Sequence, residues 1–193
     1  MQTLTPPQKL MRTRDLEAQG WNRVAIGVML RRGQLVRIDR GLYASPDFVP
    51  TDESSLAQVS IKYPKAVFCL LTALRLHGLT TQNPHEVWIA IEHKANTPKM
   101  DHPPLHIIRS TGVALSEGVE QITVDGVVQV PVMGIAKTIV DCFKFRNKIG
   151  LDVAIEALKE AWYAKKVTMD ELHYFAKICR VENVMRPYME TLA

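Results

Sequence analysis

The sequence predicts an α+β protein in two parts: a small N-terminal module of two short helices and a two-stranded ribbon, then a larger mixed α+β domain. Two short segments between residues 13 and 33, separated by a turn at Gly20 and closed by Gly33, have the outline of a helix-turn-helix. Alternating β-branched runs follow in the middle of the chain, and helical patterns continue towards its end. A length of 193 residues and a hydrophobic content of 47% suit one ordinary domain with a small appended module.

A change in composition separates the two parts. Residues 45–55 (SPDFVPTDESS) are rich in Pro, Ser and Asp and show neither helical nor strand periodicity. We therefore assign residues 1–46 to the N-terminal module, residues 47–55 to a linker, and residues 56–193 to the α+β domain.

Helices are expected at both ends of the larger domain. Ser54 or Ser55 can cap the first of them, Gly78 ends the second, and Thr168 with Glu171 forms a capping box that opens a later one. The last helix is expected to be broken or bent at Pro187. The predicted helical ranges are about 55–63, 68–78, 135–145, 151–165, 168 onward, and 182–191.

Strands are expected between these groups of helices. Residues 86–92 (EVWIAIE) and 105–109 (LHIIR) alternate and are rich in β-branched and aromatic side chains. Asp125-Gly126 lies between two β-branched runs, which is a strong signal for a tight turn. We therefore predict a β-hairpin over residues 119–132.

The positive charge of the chain is concentrated near its N-terminus. The first 45 residues contain eight Lys or Arg and three Asp or Glu, whereas the rest of the chain contains 16 basic and 17 acidic residues. Seven of the eight N-terminal cations are arginine, whose planar guanidinium suits phosphate and base-edge recognition. This asymmetry favours a nucleic-acid-binding module over a merely solvated surface.

The second predicted helix of the module has one polar stripe. At 100° per residue, Arg23, Gly27, Arg31 and Gln34 fall within a sector of about 80°. Asn22 is placed to cap the helix N-terminus. Apolar side chains are expected to cover the rest of the circumference, namely Val24, Ala25, Ile26, Val28, Met29 and Leu30. An apolar helix with one stripe of Arg and Gln is suited to reading base edges in a major groove.

A two-stranded wing is predicted directly after this helix. Val36 and Ile38 alternate with Arg37, and residues 39–41 form a tight turn that places Arg40 near the tip. Arginine at a wing tip suits the DNA backbone or a narrow minor groove. The predicted DNA-binding residues of this winged helix-turn-helix are Arg14, Asn22, Arg23, Arg31, Gln34, Arg37 and Arg40.

The pattern R-x-x-D-L-E-A-x-G followed by R-R-G-x-L-V-R-I-D-R-G-L-Y resembles the winged helix-turn-helix of the AbiEi family of antitoxins from bacterial type IV toxin–antitoxin systems. Residues 73–79 leading into 84–90, and residues 134–141, are also similar and occur in the same order. The resemblance implies an N-terminal domain that represses its own operon. It also implies a C-terminal domain that opposes a nucleotidyltransferase-like toxin.

Other constellations of polar residues carry weaker signals. Glu92-His-Lys94 resembles a metal-dependent nuclease motif but lacks the upstream Asp, and the prolines between His102 and His106 argue against a helical metal site. The sequence has no Walker, G-x-G-x-x-G, G-x-S-x-G or H-E-x-x-H motif. We expect no enzyme activity and no cofactor.

Two further expectations concern side chains of the larger domain. Lys137, Thr138 and Asp141 share one face of a predicted helix, either as candidates for antitoxin function or as a simple i,i+4 ion pair with a hydroxyl. The cysteines at 69, 142 and 179 are odd in number and widely spaced, so we expect buried small hydrophobes rather than a disulfide framework or zinc site.

The sequence thus predicts a DNA-binding autorepressor and antitoxin, with double-stranded operator DNA and a nucleotidyltransferase-like toxin as partners. Because the module has one recognition helix, two copies are expected on an inverted repeat. The alternative is a plain winged-helix regulator whose second domain senses a small ligand. No segment has the length of a membrane span and the N-terminus lacks a signal-peptide pattern, so a cytoplasmic location with no membrane partner is expected.

Overall fold

The computed structural model describes residues 10–49, 51–125 and 128–192. These residues form two compact units. The first contains the described residues up to Pro64 together with the segment Thr123–Val130, and the second contains Lys65–Ile122 and the described residues from Pro131 onward. The predicted α+β class is confirmed. The division of the chain at a linker over residues 47–55 stays a prediction.

The first unit consists of three helices and a three-stranded antiparallel sheet of order β1-β3-β2. In chain order its elements are β1 (Met11–Arg12), α1 (Thr13–Ala18), α2 (Arg23–Arg31), β2 (Val36–Asp39), β3 (Leu42–Ala44) and α3 (Asp52–Lys62). The two predicted helices and the two-stranded ribbon are all present, and β1 adds a third strand that the sequence pattern did not indicate.

Helix α2 is bounded by two local signals that the sequence contains. At its N-terminus, Asn22 Oδ1 accepts a hydrogen bond from the Ala25 amide at 2.8 Å, as predicted for an N-cap. At its C-terminus, Gly33 adopts φ +67° and the Gln34 amide donates to Met29 O at 2.9 Å. That second bond is the Schellman arrangement that ends helices at a glycine.

Helix α2 contributes two buried residues to an apolar cluster of the first unit. These are Ile26 and Met29, which pack with side chains from α1, β1 and the loops. The cluster consists of Met11, Leu16, Trp21, Ile26, Met29 and Leu35. The expectation that Val24 lies on the apolar side of α2 is wrong, because its side chain is 74% exposed.

Helix α3 begins earlier than expected. Thr51, rather than Ser54 or Ser55, is its N-cap: Thr51 Oγ1 accepts from the Ser54 amide at 3.1 Å, and Ser54 Oγ accepts from the Thr51 amide at 2.9 Å. The Ser54 hydroxyl is therefore used inside the first turn of the helix, as the third residue of a capping box.

The larger sheet of the described chain is mixed and five-stranded, of order β6-β5-β4-β8-β7. Strand β4 runs antiparallel to β5 and parallel to β8, and β5 runs parallel to β6. The strands are β4 (Val67–Phe68), β5 (Val87–Glu92), β6 (Leu105–Ser110), β7 (Val119–Val124) and β8 (Val128–Met133). The two predicted single strands are confirmed, and the predicted hairpin is present as the neighbouring strands β7 and β8; its Gly126 lies outside the described residues.

Helices surround this sheet and extend to the end of the described chain. Their bounds are α4 (Leu70–Leu76), α5 (Val113–Ser116), α6 (Ile135–Lys144), α7 (Arg146–Ile149), α8 (Leu151–Tyr163), α9 (Met169–Cys179) and α10 (Glu182–Glu190). The capping box at the start of α9 and the helix containing Pro187 are confirmed. The short helices α5 and α7 were not predicted. No helix of the described chain has both the length and the apolar character of a membrane span.

The predicted helix over residues 68–78 is partly wrong, because its start belongs to the sheet. Val67 pairs with Ala90 and Phe68 pairs with both Ile89 and Val132, and the helix begins only at Leu70. Pairing with strands distant in sequence, together with burial, outweighs the helical composition of this segment.

Helix α6 lies at the centre of the second core. Every residue from Ala136 to Phe143 is buried, and the helix packs against α4, α8 and α9. Because α6 is covered on all sides, its polar residues have to find partners inside the protein. Thr138 Oγ1 donates to Met133 O at 2.8 Å, and Lys137 Nζ forms an ion pair with Asp141 one turn later.

The three cysteines are buried around this ion pair, as expected for small hydrophobes. Burial raises the pKa of all three thiols, and the nearby carboxylate of Asp141 raises it further. The pKa of Cys179 rises to about 11, and its Sγ donates to Asp141 Oδ1 at 3.4 Å. The thiols are therefore protonated at neutral pH and act as packing groups.

The ion pair generates the first prediction. Replacing Lys137 by Met should lower the free energy of unfolding by about 3–5 kcal/mol, because the Asp141 carboxylate is left buried without its cation. The double variant K137M/D141L should regain most of that loss, since both charges are then replaced by apolar groups. Urea unfolding at pH 7 measures both values.

Lys159→Met, an exposed substitution on α8, serves as the matched control and should change stability by less than about 0.5 kcal/mol. A loss below 1 kcal/mol for K137M alone would show that Asp141 reaches solvent or another partner.

Candidate nucleic-acid interface

All seven residues predicted to bind DNA are exposed in the first unit. They come from both helices of the helix-turn-helix, from the loop after it, and from the two-stranded ribbon. Arg14 lies in α1, Asn22, Arg23 and Arg31 lie at the ends of α2, Gln34 follows α2, and Arg37 and Arg40 lie in the ribbon. Exposure leaves these donors available to a ligand.

Three of the seven surround a single pocket. Arg23 from α2 and Arg37 and Arg40 from the ribbon line a concavity of about 330 Å³. Ile26 and Tyr43 also line it, as do Thr13 and Gly41. Sequence patterns had placed Arg23 with the base-reading stripe and the other two arginines at the wing, so this grouping is new.

The ribbon holds its part of the pocket through strand register. Arg37 is paired directly with Tyr43 across β2 and β3, which puts both side chains on the same face. A register irregularity lies between Arg37 and Asp39, and a bulge of this kind turns the strand and re-aims its side chains.

The turn between the strands depends on Gly41. This residue adopts φ +78°, and a Cβ at this position would lie 3.4 Å from the Thr13 hydroxyl oxygen. Gly41 O accepts from the Thr13 amide at 3.0 Å, so the turn is fixed to the start of α1. The 3.4 Å separation is an ordinary van der Waals contact, so it is the positive φ that favours glycine at this position.

The outward face of α2 is wider than the predicted stripe. Val24 lies only about 20° from Arg31 around the helix axis at 100° per residue, and it is exposed beside that stripe. The Arg31 side chain folds back along the helix, with one guanidinium nitrogen 3.8 Å from where a Gly27 Cβ would be. Val24, Gly27 and Arg31 therefore form one continuous surface. The angular position of Val24 was available from the sequence, but its apolar character had assigned it to the core.

Gln34 does not belong to the helical stripe as predicted. Helix α2 ends at Arg31, and the chain reverses direction through Gly33 before Gln34. The 100° spacing therefore does not extend to Gln34, although the residue remains exposed at the end of the helix.

Each carboxylate of the helix-turn-helix and ribbon contacts an arginine or the ribbon backbone. Glu17 Oε1 lies 3.4 Å from Arg23 Nε, and Asp15 contacts Arg12 at 3.0 Å and Arg14 at 3.6 Å. The Arg23 side chain is still 87% exposed. Ion pairs with this exposure contribute at most about 1 kcal/mol, so they orient the arginines without sequestering them.

The structure places the three candidate antitoxin residues in the interior. Lys137, Thr138 and Asp141 have relative exposures of 1%, 0% and 6%. Their hydrogen bonds stay within the second unit, as described for α6. This arrangement matches the simple ion-pair interpretation, because no surface for a partner can be formed by groups that water does not reach.

The helix-turn-helix, the ribbon and the exposed arginines together form the candidate nucleic-acid interface. Residues 8–46 match the family model described as "Transcriptional regulator, AbiEi antitoxin". The predicted resemblance is confirmed over this segment, and it supports a role as an antitoxin or transcriptional regulator.

Among solved structures, the chain is similar to the RV2827C protein from Mycobacterium tuberculosis. The TM-score is 0.55 at 14% sequence identity, over 88% of this chain and 66% of that one. At this identity the similarity shows a shared fold only. None of the curated proteins compared with the chain matches it.

The exposed position of Val24 generates the second prediction. We expect Val24→Ser to weaken binding to preferred DNA by roughly 5- to 10-fold, because a methyl contact with thymine worth about 1–1.5 kcal/mol is lost. The free energy of unfolding should stay within about 0.5 kcal/mol of the parent value, since no buried contact is removed. Selection from a random duplex pool, followed by competition binding, measures the change in base preference.

Val49→Ser is the matched control, because Val49 is 75% exposed in the same unit but lies outside α2. Equal effects of the two substitutions on DNA preference would contradict a base-reading role for Val24.

Proposed function

We propose that the chain is a DNA-binding transcriptional autorepressor and the antitoxin of a type IV toxin–antitoxin system, opposing a nucleotidyltransferase-like toxin. The observation that carries this proposal is the exposed set of arginines on α2 and the ribbon, within the segment that matches the AbiEi regulator family. Arginine presented by a short helix and an adjacent wing is an arrangement that contacts base edges and phosphates together.

The recognition surface is short, which favours binding by two copies. Helix α2 has nine residues, so one copy can reach only a few base pairs with Val24, Arg31 and the neighbouring Gln34. Two copies on an inverted repeat double the number of base contacts, with half-sites separated by one helical turn of about 10 base pairs or a multiple of it.

Antitoxin activity is assigned to the second unit. The charge excess of the chain lies in the first 45 residues, and the later helices carry mixed charges such as Glu156, Lys159 and Glu160 on the exposed side of α8. A near-neutral surface with both signs suits a protein partner better than a polyanion. Lys137, Thr138 and Asp141 support this unit from its core rather than from its surface.

Binding to DNA tests the first half of the proposal. The natural probe is a duplex of the region upstream of the chain's own gene, measured by fluorescence anisotropy at a fixed salt concentration. Arg31→Ala and Gln34→Ala should each cost about 1–3 kcal/mol, or roughly 5- to 150-fold in affinity, and should relax base preference locally. If the double variant R31A/Q34A bound DNA with unchanged affinity and unchanged base preference, neither α2 nor the residues at its C-terminal end would be the element that reads the bases.

Protection from the toxin tests the second half. The Arg23, Arg31 and Gln34 triple alanine variant, expressed from an independent promoter, should still protect cells that produce the nucleotidyltransferase-like protein encoded beside this chain. Protein levels are matched to those of the parent chain by immunoblot.

Loss of protection at equal protein level would show that repression is itself the protective activity. That result would favour a plain transcriptional regulator over an antitoxin with a separate protein-directed function.

A further inference from the structure

Among the described residues, the lining of the pocket between α2 and the ribbon contains three arginines and no carboxylate. Arg23, Arg37 and Arg40 come from two different elements, and all three side chains are exposed. Its volume of about 330 Å³ is roughly ten times the ~30 Å³ that one water molecule occupies, so a solvated tetrahedral anion fits inside it.

We propose that this pocket is a seat for one phosphate group, held jointly by Arg23, Arg37 and Arg40. The inference rests on the proposed DNA-binding function and refines it, because it moves Arg23 from base reading to backbone binding. Base reading is left to the opposite edge of the exposed face of α2, where Val24 and Arg31 lie.

The position of Arg23 on α2 supports this division. Arg23 is the first residue of the helix, and Ile26, one turn later on an adjacent face, is buried and also lines the pocket. The Arg23 side chain therefore lies at the edge of α2 that faces the ribbon. The first amides of a helix have no intrahelical acceptor, and they add positive potential at this same end.

The ribbon side of the pocket supplies complementary donors. Arg37 and Tyr43 are paired across the strands on one face, so both residues line the pocket from neighbouring strands. Arg37 Nε donates to Asp39 O at 3.3 Å, which orients the guanidinium without neutralising it. The Arg40 amide is held by the Asp39 side chain at 2.6 Å, which fixes the backbone of the turn.

Three cations around one pocket repel one another, and a bound anion relieves that repulsion. Among the lining residues, Arg23 has a carboxylate partner, Glu17, but that contact is long and exposed. A phosphate oxygen offers a shorter, charge-assisted hydrogen bond to planar guanidinium groups. The arrangement therefore favours the pocket with a bound phosphate over the pocket with its three arginines solvated separately.

The salt dependence of DNA binding tests whether the three arginines share one phosphate. The slope of log K against log salt is about −0.9 per neutralised phosphate of duplex DNA. The triple variant R23Q/R37Q/R40Q, bound to a 20-base-pair duplex of random sequence, should lose about 0.9 from the slope. Three independent phosphate contacts would lose about 2.7, and that larger loss would overturn the shared seat.

Base preference separates a phosphate role from a reading role for Arg23. R23Q should reduce affinity by the same factor for random-sequence DNA and for DNA upstream of the chain's own gene. A reduction confined to the upstream DNA would restore Arg23 to the base-reading set and overturn the proposal. Arg32→Gln, an exposed arginine of the same module that does not line the pocket, is the control for the change in net charge.

A titration with inorganic phosphate tests the proposed phosphate site without DNA. Nitrogen-15 spectra of the arginine Nε–Hε groups in the full chain should show Arg23, Arg37 and Arg40 shifting together and saturably with phosphate at constant ionic strength, while Arg32 does not. In the R37Q variant, the Nε–Hε signals of Arg23 and Arg40 should no longer shift together.

The two failures can be told apart. If the chain binds DNA, the proposal is decided by the slope of log K against log salt and by the affinity of R23Q for random-sequence and upstream DNA. When it binds no DNA, the proposed function fails and the phosphate titration decides alone: a joint saturable shift supports a seat for a free phosphate-bearing ligand, and its absence overturns the seat.

Discussion

Helix α2 has to bury Ile26 and Met29 against the apolar side chains of its unit, and this requirement determines which of its side chains stay in water. A nine-residue helix is marginal on its own, so its stability comes from this burial and from its two caps. Rotating α2 by one residue would turn either Arg23 or Arg32 towards the core. The packing of two apolar side chains therefore fixes the orientation of the whole exposed face, including the arginines.

Local chemistry explains what could be predicted from the sequence. Asn22 as an N-cap, Gly33 as a helix stop and the capping box of α9 are each decided within four or five residues, and each is present in the structure. Pairings between distant segments were out of reach. The two-residue strands β1 and β4 are defined by Met11 opposite Tyr43 and by Phe68 opposite Val132, and no periodicity can develop over two residues.

In the candidate sites too, some features follow from the local sequence and others depend on tertiary packing. Periodicity correctly placed Arg23 and Arg31 on one polar stripe. It does not show which side of the helix faces the core, so Val24 was assigned to the buried side. The convergence of Arg23 with Arg37 and Arg40 on one pocket depends on the tertiary structure of the unit, which no local pattern contains. For Lys137 and Asp141, an i,i+4 pair looks the same in sequence whether the helix is at the surface or enclosed on all sides.

Burial gives the same kind of ion pair opposite properties in the two units. Arg23 and Glu17 meet at the surface, where water replaces either partner at little cost, so a phosphate can take the place of the carboxylate. Lys137 and Asp141 are removed from water, and separating them leaves two uncompensated charges in the core. The first pair can exchange partners when a ligand arrives, and the second holds α6 in one position relative to its neighbours. The proposed function, with DNA bound by one unit and a protein partner met by the other, requires both behaviours, and the exposure of the side chains distinguishes them.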